Sequence, residues 1–310
     1  MSMSSNEGML VRSDLLSETT PAVRRLLVIR NPTAGSYRAC RVEAALARLT
    51  ELGCRVVVRD TAARGDAERF AREADPAETD AVVAAGGDGT INETLNGLDV
   101  ARMAFGILPC GTANVLAREI AMPMDGRAIG DVLARGRTRR IHLGTANGRR
   151  FAMMAGVGLD ARAVAVVSPW LKRRLGKLAY GLAILQAVAE ARGADLTLTV
   201  DGQRLPAIWT VAANGRHYAG GFVMAPQADL GRPTFQVVLC PKGWPHHALR
   251  YTASLGIGLL HRWGDIVTLQ TDHLTVEGPP GGPVQADGDI VARLPVELAV
   301  AKETLNLIVP

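Results

Sequence analysis

Residues 80–98, DAVVAAGGDGTINETLNGL, constrain the fold more than any other stretch of the chain. Ala81 to Ala85 form a short apolar run that suits a strand buried on both faces, and Gly86, Gly87, Asp88 and Gly89 follow at once. Ile91, Leu95 and Leu98 then recur at i, i+4 and i+7, which gives the next segment the apolar face of a helix. Thr90 stands three residues before Glu93, the spacing of a capping box. The stretch predicts strand, glycine turn, helix.

Glycines at 86, 87 and 89 let the backbone approach a bound group, and free N–H groups at a helix start favour an anion, so the turn suits a phosphate. It is neither the GxxxxGK[ST] of a P-loop nor GxGxxG, and it places a carboxylate, Asp88, inside the loop. A carboxylate beside phosphates repels them unless it binds Mg2+ or accepts a proton. By itself the stretch also fits a glycine-rich turn with a solvated aspartate.

The same device recurs along the first half. Leu26 to Ile29 read as a buried strand ended by Asn31-Pro32-Thr33-Ala34-Gly35-Ser36, and Val42, Ala45, Leu46, Leu49 and Leu52 as an amphipathic helix stopped by Gly53. Val56 to Val58 give a strand closed by Asp60-Thr61, and Asp66 to Glu73 a helix. Phe105 to Leu108 form another strand, which Pro109-Cys110-Gly111-Thr112 turns into a helix around Ala113 to Ile120. This alternation predicts a doubly wound parallel sheet whose ligands bind at the carboxyl ends of the strands, where Asn31, Thr61, Asp88 and Thr112 all fall.

After Arg139 the character changes to short β-rich runs at 151–157, 195–200, 207–213, 234–240, 273–277 and 296–300, with Asp201-Gly202 as a hairpin signal. Helical insertions are expected near 176–191, where Leu178, Leu182, Leu185 and Val188 share a face, and near 246–260. The expected organisation is a disordered leader at 1–22, an α/β domain at 23–140 joined by a C-terminal tail at about 300–310, and a mainly antiparallel β-sandwich at 141–299.

Composition narrows the function. A net charge of +5 is compatible with an anionic substrate, nucleic acid or an anionic membrane, but aromatic residues make up only 4% and no basic tract interleaves with them, which argues against nucleic acid. Cys40, Cys54, Cys110 and Cys240 lack any CxxC pair, so neither a zinc site nor a disulfide framework is expected, and a reducing cytosol fits. The leader has no apolar core of a signal peptide, and LGIGLL at 255–260 is far short of a membrane span, so any membrane contact is expected to be peripheral. The scattered histidines suggest no metal site. Met153 and Met154 read as core, and Trp244-Pro245-His246-His247 as an exposed loop or an interfacial lip.

Taken in order, NPTAG at 31–35, DTAARGDA at 60–67, GGDGTINE at 86–93, GILPCGTANVLA at 106–117, LGKLAY at 175–180, AGGF at 219–222 and DGD at 287–289 resemble the diacylglycerol and sphingosine lipid kinase superfamily, especially its soluble bacterial branch. GGDGT alone is shared with NAD kinases and phosphofructokinases; the ordered set carries the resemblance, from about Leu26 to Pro310. It implies ATP and Mg2+ bound between the two domains and a lipid hydroxyl taking the γ-phosphoryl group. Asn31 and Thr61 would help hold the nucleotide, Gly86, Gly87, Asp88, Gly89, Thr90, Ile91 and Asn92 would cradle its phosphates, and Thr112 would add a hydroxyl. Asp88 would organise the metal-bound nucleotide, and Asp289 would inherit the proton-acceptor role of the family's DGE glutamate. The tail from Leu294 would pack back onto the first domain.

The resemblance implies a lipid partner at an anionic membrane surface and leaves a homodimer open. Lys172, Arg173, Arg174 and Lys177 beside Trp170 fit either lipid headgroups or a solvated helix end. Three positions depart from the family pattern: Asp289 for Glu, Val115 for an Asp frequent in bacterial members, and Arg232 where many relatives place an aspartate that binds a structural Mg2+. A guanidinium does not ligate a cation, so no structural metal is expected there, or the Arg charge acts in its place. Two alternatives carry different acceptors or none: a kinase for a soluble acceptor such as NAD, and an inactive nucleotide- or lipid-binding module.

Overall fold

The computed structural model describes residues 24–34, 39–166, 186–189 and 195–310. The leader, Gly35-Ser36, Trp170 with its basic neighbours, LGKLAY and most of the helix expected near 176–191 lie outside the described residues.

The first half alternates as expected through β1 (Arg25–Arg30), α1 (Ala39–Glu51), β2 (Arg55–Asp60), α2 (Asp66–Arg72), β3 (Ala81–Gly86), α3 (Asp88–Gly97), β4 (Ala104–Pro109) and α4 (Val115–Glu119), and a further helix that the sequence reading does not include, α5 (Gly126–Arg135), follows with Asp125 as its N-cap. β2, β1, β3 and β4 lie side by side in that order, all parallel. Every residue of β3 is buried, as a strand covered on both faces requires. Ile91, Leu95 and Leu98 bury the apolar face of α3, which packs beside α2, while α1 packs against α5.

The second half comprises β5 (Thr138–Ala146), β6 (Arg149–Phe151), β7 (Met154–Gly158), α6 (Leu159–Val166), β8 (Leu196–Val200), β9 (Gln203–Ala207), β10 (Trp209–Ala213), β11 (His217–Tyr218), β12 (Phe222–Val223) and β13 (Phe235–Cys240). It continues with α7 (Pro245–Gly256), a 3-10 turn at Leu260–Arg262, β14 (Val267–Thr271), β15 (His273–Glu277), β16 (Pro283–Ala286), β17 (Asp289–Arg293) and β18 (Val296–Ile308). One sheet runs β14-β13-β10-β7-β16-β17, entirely antiparallel. The facing strands β5, β18, β15, β8 and β9 continue the first sheet, because Leu307 of β18 pairs in parallel with Phe105 of β4. Phe151, Val157, Leu198, Phe235, Leu274 and Leu298 fill the space between the sheets, with Phe151 stacked on Phe235 at 5.8 Å. β18 therefore serves two cores: Val296 and Leu298 pack within the sandwich, Leu305, Leu307 and Ile308 with the α/β half.

Besides α5, the helix α6 is absent from the sequence reading, and three strands differ from it. The strand expected at 296–300 runs to Ile308, past a register shift between Val300 and Thr304 where Lys302 and Glu303 interrupt the apolar alternation. Thr138–Ala146 is a full strand although Arg139 and Arg140 mask its pattern. The run 151–157 divides into β6 and β7 because the N–H groups of Ala152, Met153 and Met154 all turn toward the Asp287 carboxylate. Met153 and Met154 are core residues, and Asp201-Gly202 takes positive φ at both positions of a two-residue hairpin, as expected.

Candidate active site

The turns that end β3 and β4 touch. A Cβ at Gly111 would lie 2.5 Å from the Gly87 Cα, so these turns meet only as glycine against glycine. Asp88 opens α3 and reaches across: the Val115 N–H donates to its Oδ1 at 2.7 Å and the Asn114 N–H to its Oδ2 at 3.0 Å. Asn114, at φ +49, closes the loop on itself, accepting the Gly111 N–H and donating to the Gly111 carbonyl, both at 2.8 Å. Asp88 thus tethers the second glycine turn.

The capping box is a correction. α3 starts at Asp88, so Thr90 sits inside the first turn, where its hydroxyl accepts from Asn31 Nδ2 at 3.2 Å. Glu93 instead accepts the Gly65 N–H at 3.0 Å and the Ala67 N–H, and so caps α2, whose own N-cap is a glycine at φ +90 with no side chain to offer. Burial in this position pushes the Glu93 carboxyl up, against the pull of those two amides, and nearby Asp289 adds to the rise. No side chain caps α3 itself.

Among the ends of β1 and β2, the start of α3 and the sandwich half lies a cleft of about 300 Å³ lined by Asn31, Thr33, Thr61, Ala62, Ala63, Arg64, Ala67, Gly89, Thr90, Glu93 and Asp289. Asn31 is fixed by its N–H to the Ala85 carbonyl and by accepting from both the N–H and the hydroxyl of Thr33.

The sandwich half supplies the remaining wall through the β16–β17 hairpin, whose turn is Asp287-Gly288 at φ +50 and +88. The Asp287 carboxylate accepts the N–H groups of Ala152 (2.7 Å), Met153 (2.9 Å) and Met154 (3.1 Å). Surrounding protein pushes its pKa up despite those amides, with Asp88 adding to the rise. Gln285 completes the support: its Oε1 accepts the Gly288 N–H at 3.0 Å and its Nε2 donates to Asp160 at 2.9 Å. Asp160 is 5% exposed, and burial pushes its carboxyl up to about 6, opposed by its bonds to Gln285 and the Ala161 amide. The turn so held presents Asp289, half-buried, to the start of α3: a Cβ on Gly89 would lie 3.1 Å from Asp289 Oδ2, and Arg64 stands 4.0 Å away.

Of the residues expected in the site, Asn31, Thr61, Gly89, Thr90 and Asp289 share the cleft. Gly86 and Gly87 form the turn beside it and Asp88 faces the neighbouring loop. Ile91 is core, Asn92 donates to the Arg150 carbonyl and the Asp287 carboxylate, and Thr112 is exposed in the loop after β4. Thr33 and Arg64 join the cleft without a sequence expectation, and the supporting roles of Glu93 and Asp287 differ from the capping box and the bare DGD match that the sequence suggests. The Asp-Gly hairpin signal that marked 201–202 is also present at 287–288 and would have found the turn. In the segment of Arg232, Asp229 accepts the Gly231 N–H at 2.9 Å and pairs with Arg139, and its carbonyl accepts the Arg232 N–H at 3.0 Å. Among the described residues no group of three or more His, Cys, Asp and Glu side chains is arranged to hold a metal ion.

An α/β half with glycine turns at its strand ends, facing a sandwich half that extends a carboxylate into the same cleft, defines a two-domain protein with a polar cleft between unlike walls. The model of the diacylglycerol kinase catalytic domain matches residues 25–146, and that of the YegS C-terminal NAD kinase β-sandwich-like domain matches residues 153–309. The "Diacylglycerol kinase" of Bacillus subtilis is 28% identical over 93% of this chain and 97% of its own length. The protein named "Probable lipid kinase YegS-like" in Pseudomonas aeruginosa is 31% identical over 92% of this chain and 94% of its own. The crystal structure of a diacylglycerol kinase from Bacillus anthracis superposes with a TM-score of 0.76 at 22% identity, covering 94% of this chain and 99% of that one, and so shares the fold. The chain belongs to the diacylglycerol kinase and YegS-like lipid kinase family.

Proposed function

We propose that this chain is an ATP-dependent lipid kinase that transfers the γ-phosphoryl group to a lipid hydroxyl, that of diacylglycerol or a related lipid. The names of the full-length relatives support the class of reaction. The observation that carries the assignment of the site is Asp289, held half-exposed by a fixed hairpin turn and facing the uncapped start of α3 across the cleft.

Phosphoryl transfer asks the protein for phosphate positioning, charge neutralisation and an oriented hydroxyl, with little covalent work. Asn31, Thr61 and Thr90 offer hydroxyl and amide contacts to the nucleotide, and the first turn of α3 offers backbone N–H groups to its phosphates. The donors for such a group are the Asn31 amide, the Thr33, Thr61 and Thr90 hydroxyls and the Arg64 cation, which share the wall with the Glu93 and Asp289 carboxylates, and a Cβ at Gly89 would narrow the space facing Asp289. Mg2+ bound with the nucleotide would be held by Asp88 and would supply charge neutralisation. Each Asp88 oxygen retains a lone pair after accepting its backbone N–H, while those two bonds keep the Gly111–Val115 loop in place.

Asp289 accepts the proton of the attacking hydroxyl, which must come within about 2.6–3.2 Å of it. Being one methylene shorter than glutamate, it requires the lipid hydroxyl to enter deeper than a glutamate would. Among the described residues no helix is long and apolar enough to cross a membrane, and the proposed substrate is met at a membrane surface by peripheral association.

The test is transfer of labelled γ-phosphate from ATP into a total lipid extract, beside NAD as soluble acceptor and the Asp289→Asn variant. Label in the organic phase that disappears in the variant supports the assignment and identifies the lipid by mass. Label in NAD alone moves the chain to soluble-acceptor kinases, and ATP binding without any transfer identifies an inactive module.

A further inference from the structure

Residues 243–264, the segment containing α7 and the 3-10 turn, carry only two formal charges, Arg250 and Arg262, and no carboxylate. α7 buries Ala248, Tyr251 and Leu255. Its opposite face, Leu249, Ala253 and Gly256 with the capping Ile257, is exposed and apolar apart from His246 in the first turn. Leu249 is 50% exposed, Ile257 72%, and Trp244 just before the helix 60%. Solvent-facing helix surfaces are ordinarily polar, and a contiguous apolar one on a folded chain marks an interaction site.

The rim decides the partner. Trp263 is fixed beside the helix by donating its Nε1–H to Ser254 Oγ at 2.7 Å and by the Arg250 guanidinium 4.5 Å over its ring. Asp265, just outside the segment, is paired with both Arg250 and Lys242, which leaves the rim positive with Arg262. Tryptophans and leucines on an apolar face, bordered by basic residues, suit the headgroup boundary of an anionic bilayer.

A chain of contacts links this face to the start of α3 beside the cleft. α7 packs beside β12, where Phe222 is exposed, and the β11–β12 hairpin places Gly220 where a Cβ would lie 3.9 Å from Ala113 in the loop tethered by Asp88. Glu119 at the end of α4 clamps the same hairpin by accepting from the backbone N–H groups of Arg216 and His217.

We propose that the outer face of α7, with Trp244 and Trp263, is the surface by which this chain docks on anionic membrane and brings its cleft to the lipid. The inference rests on the lipid-kinase reading and specifies where that enzyme meets its substrate's phase.

The experiment is partition of the full chain onto vesicles of phosphatidylcholine with and without phosphatidylglycerol, compared with the double variant Leu249→Asp/Ile257→Asp and with Trp244→Ala. Activity in detergent micelles is measured in parallel. Binding to the phosphatidylglycerol vesicles is expected to fall at least about tenfold in the double variant, as loss of two buried aliphatic side chains requires, and less in Trp244→Ala. Micellar turnover should be unchanged in both. Vesicle binding that survives in both variants overturns the proposal, as does a wild-type chain that binds no vesicle. Conversion of a wild-type dimer to monomer with vesicle binding intact also overturns it, and assigns the face to a second copy of the chain. Absence of lipid phosphorylation in micelles would instead defeat the kinase reading, while the vesicle result stands separately.

Discussion

In the α/β half, Asp88 and Glu93 tie one loop to another at the ends of the parallel strands, whereas in the sandwich half Asp287 and Asp160 hold a single hairpin turn from beneath. Glu93 gives its carboxylate to the amides at the start of α2, and residues 62–65 of the loop it anchors remain exposed. Asp287 takes three consecutive amides, and Asp160 reaches the same turn through Gln285. The first wall of the cleft is held loop by loop, Asn31 through Ala85, Thr33 and Thr90 and the 62–65 loop through Asp66 and Glu93, and the second along a continuous network. On this reading Asp289 is the fixed point of the site, and the exposed 62–65 loop carrying Arg64 adjusts to what binds against it.

The comparison is tested most severely by Asp289→Asn. If the turn exists to present this carboxylate, turnover should drop about 10²–10⁴-fold, the range for a general base, with ATP binding and thermal midpoint near those of the wild type. Unchanged turnover would remove Asp289 from the chemistry and leave the sandwich wall without a reacting group.

Asp287→Ala tests the network. It leaves the Ala152, Met153 and Met154 amides without their acceptor, so unfolding free energy should fall by about 3 kcal/mol in a denaturant titration. Turnover should fall too, since Asp289 follows two residues later. A stable variant with full activity would show that the turn holds its shape without Asp287.

Legibility in the sequence followed the same division. Strand, glycine turn and helix at 80–98 lie within nineteen consecutive residues, and local pattern reported them correctly. The Thr90–Glu93 spacing was genuine, but Glu93 serves a glycine-capped helix 28 residues earlier, and no local pattern encodes that partner. Asp287 bonds amides 133 to 135 residues away, which explains both why its structural role was not read and why the strand at 151–157 was read as unbroken. β5 and the far half of β18 escaped because Arg139, Arg140, Lys302 and Glu303 spoil alternation at positions whose burial is fixed by pairing between those two strands. Asp289 was found only through family resemblance; nothing in its immediate neighbours marks it as different from Asp201.

Asp160 supplies a pH signature for the sandwich side. Its folded pKa of about 6 lies above the ordinary 3.8, so the folded state holds the proton more tightly. Its contribution to stability is fully present below about pH 4 and is lost as pH rises through about 6, amounting to about 3 kcal/mol. Asp160→Asn stays neutral throughout, so the variant should gain stability relative to wild type between pH 4 and pH 7, read as the difference between two denaturant series. Parallel curves would mean that Asp160 is charged in the fold and that its bonds to Gln285 and the Ala161 amide outweigh its burial.

Glu93→Ala probes the α/β wall and should have the mildest effect. Losing a cap costs about 1 kcal/mol at the start of α2, and the 61–65 loop gains freedom. Because that loop lines the cleft while Asp289 is held from the other side, the KM for ATP should rise up to about tenfold with kcat nearly unchanged, the mark of lost binding shared by ground and transition states. Glu93→Gln keeps an acceptor oxygen for one of the two amides and should recover part of the affinity. A fall in kcat with KM unchanged would place Glu93 with Asp289 in the chemical step, and the division between an adjustable wall and a fixed one would then fail.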